Sequence, residues 1–320
     1  MFEVLESARF VARESRDVSI DKEAARRFAR KIAAQGRAMP AWDADHHFTG
    51  PPGKVTAYLL VLDTINFCFW PPPGQKPWTV NIRGVSYSGY NGLAVALKHA
   101  MESGVPLDNA DFLGSLTEDR LGEVLGGTGA LQLMAERAAA LRELGEVLNR
   151  DYRGDARRLV EAPKGWAGSL VRLLAQKLAS YRDRAVYRER AVYFYKRGQI
   201  LCSDLHGALN GEAWGSFHDV GELTAFADYK LPQVLRKLGV LVYSDGLSRR
   251  VDSLDLIAPG SPEEVEIRAN TIMAVECLGQ EARALGSEVK SNELDGLLWQ
   301  MGQEDSFRDR PFHRTVTIFY

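Results

Sequence analysis

GSFHDVGELTAFADYKLPQVLRKLGVLVYSD, residues 215–245, carries two short helical patterns that meet at an aspartate. Leu231, Val234, Leu235 and Leu238 recur at helical spacing, so a helix is expected over 231–238. Pro232 has no backbone N–H and therefore belongs in the first turn of that helix. It also pushes Leu231, the residue before it, away from helical angles. Gly221 to Ala227 reads as a preceding helical segment, which leaves Asp228 in the turn between the two. Open N–H groups and the positive end of the helix dipole favour an ionised carboxylate there. An aspartate in front of a helix is most often only a cap. Phe226 two residues before it, with Tyr229 and Lys230 directly after, adds an aromatic and a base to the acid.

The chain of 320 residues has room for one large domain or two small ones, and 45% hydrophobic residues supply a real core. The formal net charge of −2 decides more. A protein that grips duplex nucleic acid neutralises many phosphates and usually shows a basic excess. The balance here favours a small anionic ligand over a long polyanion. Cys68, Cys202 and Cys277 are odd in number and far apart, which excludes a disulfide framework and lacks metal-ligand spacing. Each sits in an apolar run and reads as a buried thiol. The N-terminal MFEVLESARFVARESRD mixes acids and bases, unlike a signal or transit peptide. No apolar run reaches the length of a membrane span. The expectation is a soluble cytoplasmic protein.

Helices are expected over 2–13 and from Asp21, a cap, to a stop at Gly36, with Ala24, Phe28 and Ile32 on one face. The loop RAMPAWDADHHFTGPPG (37–53) holds Trp42, His46, His47 and Phe48. It either lines a pocket or is anchored by its aromatics with solvated histidines. Adjacent histidines lack zinc-site spacing. KVTAYLLVLDTINFCFW (54–70) reads as a buried helix that opens at Asn66 to Trp70. A β-hairpin is expected near 79–87, turning at Arg83-Gly84. Beyond Ser88 the pattern is strongly helical. Gly126, Gly127 and Gly129 lack phosphate-loop spacing and a preceding strand.

In YRERAVYFYKRGQILCSDLHGALNG (187–211), Lys196 and Arg197 follow an aromatic cluster. They either hold a phosphate or border a buried helix. A long helix is expected over 263–285, where Arg268 and Glu276 lie two turns apart and read as a buried ion pair. KSNELDGLLWQMGQ (290–303) reads as the last helix, capped by Ser291, with Leu294, Leu297, Leu298 and Met301 inward. Asp295 and Trp299, at i and i+4, lie side by side at the edge of that face. The terminal PFHRTVTIFY reads as extended. No repeat or flexible linker divides the chain. The expected fold is mainly α, a single compact domain over 1–320 with one small β-hairpin.

LDTINFCFW (62–70), YSGYNGLAVAL (87–97), FYKRGQILCSDL (194–205), FADYKLPQVLRKLGVLVYSD (226–245), EVEIRANTIMAVE (264–276) and the tryptophan-bearing helix near the C-terminus resemble the queuosine salvage proteins. These are queuosine 5′-phosphate N-glycosylases, also called hydrolases. The similarity spans nearly the whole chain, and FADYKLPQ is its most specific block. It implies a helical fold related to the helix-hairpin-helix DNA glycosylases. The implied reaction releases queuine from queuosine 5′-monophosphate, so that the base can enter tRNA again. The family's catalytic aspartate falls on Asp228, its aromatic on Phe226, its base-binding histidine on His46 beside His47, and an acid of the last helix on Asp295. Gly296 and Gln300 stand where some relatives place a tyrosine and a second acid, which makes Gln300 a further candidate contact. Trp299 offers a second flat surface for the base. Lys230, with Lys196 and Arg197, is a candidate for the 5′-phosphate. No cofactor, metal, stable nucleic acid complex or membrane is expected, and the chain is expected to be a monomer.

The residue types suit that chemistry. Breaking an N-glycosidic bond builds positive charge on the ribose, which a fixed carboxylate stabilises while it orients or deprotonates water. Queuine is a 7-deazapurine and lacks the ring nitrogen that purine-cleaving enzymes commonly protonate. Another base atom must take a proton, with help from His46 or Asp295, unless Asp295 instead binds the cationic amine of queuine. Two rival readings stand beside this one: a DNA or RNA base glycosylase, and a non-catalytic binder of a modified base or nucleotide.

Overall fold

Ser261 and Pro262 start the helix on which one half of the protein is built. The Ser261 side chain accepts the N–H of Glu264, and Pro262 fills a first-turn position that needs no N–H. The helix runs Pro262–Ala284 in the computed structural model, which describes residues 1–35 and 42–320. Val265, Ile267, Ile272, Val275 and Leu278 bury more than one of its sides. Helices Phe2–Glu14, Lys22–Gln35, Lys230–Lys237 and Ser291–Met301 pack around it. Phe28 and Ile32, Val234 and Leu235, and Leu294 and Leu298 join it in one continuous core. Full burial of each such side chain contributes about 1.5–3 kcal/mol.

The chain forms two compact units, each made of separate segments. The first comprises Met1–Pro40, Asp183–Gln199 and Gly221–Val316; the second comprises Ala41–Arg182, Ile200–Val220 and Thr317–Tyr320. In the second unit, helix Pro52–Thr64 is buried from Val55 onward and opens after Ile65, as the sequence indicates. The carbonyls of Ile65, Phe67 and Cys68, left without helical partners, are taken by the fully buried Arg137 guanidinium. The expected hairpin pairs Thr79–Ile82 with Val85–Ser88, and both turn residues, Arg83 and Gly84, have positive φ (53° and 84°). The glycines at 127 and 129 let a neighbouring segment approach this hairpin. A Cβ on Gly129 would lie 2.3 Å from the Pro77 carbonyl oxygen, where the chain forms the Pro77–Ala130 bridge.

Several local expectations yield to longer-range pairing. A second hairpin, Arg184–Tyr187 with Arg190–Tyr193, was not legible because its turn, Arg188-Glu189, has no glycine or asparagine, and the ribbon of Val18–Ile20 with Leu241–Tyr243 joins segments too far apart for any local pattern to show. Gly221–Ala227 is not a helix beyond a single 3-10 turn at Val220–Glu222. Its backbone is bound elsewhere: the Thr224 N–H donates to Gln199 and the Phe226 N–H to Asp295. Arg268 does not pair with Glu276 but with Asp183, and Glu276 instead accepts the Ser291 hydroxyl. That bond removes Ser291 as a cap. Lys290 takes the cap position, its N–H held by Glu293 at 2.8 Å. A four-residue helix, Asp305–Arg308, follows the helix expected to be last. Cys68 and Cys202 are buried, whereas Cys277 is only half-buried. The stop expected at Gly36 and the loop residues 37–41 lie outside the described residues. Among the described residues, no helix is long and apolar enough to cross a membrane.

Candidate active site

Asp228 stands two residues before helix Lys230–Lys237, in the turn where the sequence places it. Its Oδ1 accepts the N–H of Lys230 at 2.7 Å and of Leu231 at 3.0 Å. Pro232, next in line, has no N–H to satisfy. The cap reading is therefore correct for one oxygen. The second, Oδ2, accepts no hydrogen bond from the described residues, and it is not among the sealed polar atoms that lack a partner. One oxygen anchors the carboxylate and the other carries no bond from the described residues. Burial pushes the Asp228 pKa up, while Lys196, the two backbone N–H groups and Lys230 pull against it.

Asp295 is brought to the same place from helix Ser291–Met301. Its Oδ1 accepts the N–H of Phe226 at 2.6 Å, and the side chain is buried. Burial raises its pKa well above the usual carboxylate range and the charge of Asp228 adds to the rise; the Phe226 N–H and Lys196 oppose it. The two carboxyls and Lys196 thus form one electrostatic group. Lys196 opens helix Lys196–Ala208 and is only 5% exposed. The sequence offered it as a phosphate ligand or as the border of a buried helix, and no local pattern ties it to an acid 32 residues further on.

The remaining candidates of this unit differ in position. Phe226 is buried, Trp299 is half-buried against the core, and Gln300 is exposed. The Lys230 ammonium reaches Gln233 Oε1 at 3.2 Å and the Gly302 carbonyl at 3.5 Å, 5.6 Å from the Phe312 ring. Burial lowers its pKa against the pull of Asp228. Arg197 is buried at 2% exposure.

His46 and His47 belong to the second unit and have different surroundings. His47 is buried, with one ring nitrogen 2.7 Å from the Asp43 carbonyl and the other 2.8 Å from the Tyr90 hydroxyl. Its ring lies 4.4 Å from that of Trp42, and burial lowers its pKa. His46 is more open; its Nδ1 is 2.6 Å from Asp43 Oδ2 and its ring meets Tyr87 edge-on. The expectation of two solvated histidines in a loop anchored by its aromatics fails for His47, which is buried, and His46 is half-buried. Among the described residues, no group of three or more His, Cys, Asp or Glu side chains is arranged to hold a metal ion.

The chain matches the family model described as queuosine salvage protein over residues 46–320. It is 43% identical to the queuosine 5′-phosphate N-glycosylase/hydrolase of Sphaerobacter thermophilus, an alignment that covers 99% of this chain and 97% of that protein. The protein of the same description from Mus musculus is 33% identical, with 98% of each chain covered. That from Schizosaccharomyces pombe is 29% identical, with 95% of this chain and 92% of the relative covered. Similarity of this extent, end to end and including the segments that carry Asp228 and Asp295, means that the chain belongs to the queuosine salvage protein family.

Proposed function

We propose that this protein is a hydrolase of N-glycosyl bonds that cleaves queuosine 5′-monophosphate and releases queuine for salvage into tRNA. The observation that carries the reading is the two buried carboxyls Asp228 and Asp295, linked through the Phe226 N–H two residues before Asp228, in a chain whose relatives are named for that activity. Two carboxyls in one water-poor place do not both ionise readily, so their environments divide the roles. Asp295, whose pKa burial and the Asp228 charge both push up, is assigned the proton. Asp228, held by two N–H groups and facing Lys196, is the ionised partner. As the bond between C1′ and the base nitrogen breaks, its electron pair leaves with the base, which takes the Asp295 proton. Water bonds to C1′ and gives a proton to Asp228, whose charge stabilises the cationic sugar. The products are queuine and ribose 5-phosphate, and a proton passing from Asp228 back to Asp295 restores the start.

Phe226 and Trp299 supply flat surfaces for the base, while Gln300 and Lys230 complete the contacts assigned to substrate. His46 belongs to the same reading as a base-binding residue: with Nδ1 tied to Asp43, Nε2 is the ring atom left for a ligand. A fold related to the helix-hairpin-helix DNA glycosylases and a single domain over 1–320 are part of the proposal, supported by the helical content and the interleaved segments. So are a cytoplasmic location, a monomeric state and the lack of a stable nucleic acid complex.

The test is incubation with queuosine 5′-monophosphate, the free nucleoside and intact tRNA in parallel, with the free base read by mass spectrometry. Release from the nucleotide is expected. Binding without release identifies a carrier, and release only from tRNA or an oligonucleotide identifies a nucleic acid glycosylase; either result overturns the proposal.

A further inference from the structure

Arg268 and Asp183 form an ion pair buried in the first unit, with side-chain exposures of 3% and 4%. The guanidinium forks onto both carboxylate oxygens, at 2.8 and 2.7 Å, and lies 3.9 Å from the centre of the Phe194 ring. Glu264 Oε1 is 3.5 Å from the same group. Replacing a buried ion pair by well-packed apolar residues is often neutral or stabilising, so stability alone is a weak reason for this one. What the pair holds is more specific. Arg268 Nε donates to the carbonyl of Ala227 at 3.0 Å, and that peptide unit carries the N–H of Asp228. Asp183 Oδ2 accepts the N–H of Lys196 at 3.0 Å. The Asp183 carbonyl also accepts the N–H groups of Phe194 and Tyr195, which enter that helix through a left-handed Tyr195 (φ 50°). A bulky residue adopts that conformation only where its surroundings enforce it.

We propose that Arg268 is a positioning residue, acting through Ala227 on Asp228 and through Asp183 on Lys196; this rests on the function proposed above. One rigid planar fork fixes two backbone points from segments far apart in sequence and so sets the acid and the lysine relative to each other. Lysine has the charge but not the fork, and one ammonium does not span both carboxylate oxygens and the Ala227 carbonyl in the same geometry.

The test compares wild type with Arg268→Lys and Asp183→Asn on queuosine 5′-monophosphate, with amide hydrogen exchange on the same samples. Expected for both variants is KM within about threefold of wild type and kcat lower by roughly 100-fold, since small misplacements carry costs of that order. The Lys230 and Leu231 amides, bonded to Asp228, should exchange faster while helix Lys22–Gln35 keeps its protection. Wild-type kcat in either folded variant overturns the proposal. So does a loss of protection spread through the whole unit, or failure of both variants to fold, which marks a purely structural pair. If wild type itself releases no base, the functional reading falls and exchange decides alone: loss confined to 224–233 supports positioning, and unchanged exchange there refutes it.

Discussion

The backbone N–H of Phe226 donates to Asp295, so the second acid of the site holds the chain two residues before the first, Asp228. The bond joins the Ser291–Met301 helix to the turn ahead of Lys230–Lys237. It also means that the protonation of Asp295 and the placement of Asp228 are not independent.

Replacing Asp295 by asparagine should stabilise the protein at neutral pH while impairing base release. The folded-state pKa of Asp295 is raised, so the native state holds a proton that the unfolded chain gives up. Stability from this group is present below the unfolded value of about 3.9 and declines as pH rises towards the folded value. Asparagine keeps an acceptor for Phe226 and removes that decline. Thermal melting at pH 4 and pH 7.5 checks it: the gain should appear at the higher pH, and a lower melting temperature there would contradict the stated sign.

Asp228→Asn and Asp228→Ala separate capping from catalysis. Asparagine retains an oxygen for the Lys230 and Leu231 N–H groups, so folding and nucleotide binding should survive while release falls by about 100- to 1,000-fold. Alanine should lose a further ~1 kcal/mol of stability with the cap. Wild-type turnover in the asparagine variant would leave Asp228 as a cap and nothing more.

The adjacent histidines should respond oppositely. His46→Ala should raise KM for the nucleotide with little change in melting temperature, because that ring is only half-buried and hydrogen-bonded only to Asp43 among the described residues. His47→Ala removes a buried ring bonded at both nitrogens and should lower stability by about 2 kcal/mol or more. Equal effects in melting and KM assays would remove the distinction.

His313 should make the protein acid-sensitive. Burial, helped by the charge of Arg268, lowers its pKa to about 3. Its contribution is complete above the unfolded value of about 6.5 and is lost as pH falls towards about 3. His313→Gln should flatten the melting temperature between pH 6.5 and 4; an unchanged slope assigns the sensitivity to other groups.

Gly129→Ala should cost about 1–3 kcal/mol, because the backbone has φ 90° and a Cβ would press on Pro77. Melting temperature measures the loss. Gly53→Ala, at a helix start with nothing near its Cβ, serves as the control and should be within about 0.5 kcal/mol of wild type.

By itself the sequence determined the longer helices, the hairpin at Arg83-Gly84 and the turn position of Asp228, because each follows from residues within a few places of one another. The spacing of Leu231, Val234 and Leu235 is enough to mark a helix after Asp228, but that helix takes in Lys230 and Leu231 ahead of Pro232, against the expectation that Pro232 holds Leu231 away from helical angles. Only the tertiary structure decided that Asp295 and Lys196 share its electrostatic group, that Arg268 turns to Asp183 rather than Glu276, and which histidine of 46 and 47 is the more open. A buried charge must find its partner across the core, and which segment brings that partner depends on the path of the whole chain. Local spacing carries no record of that path.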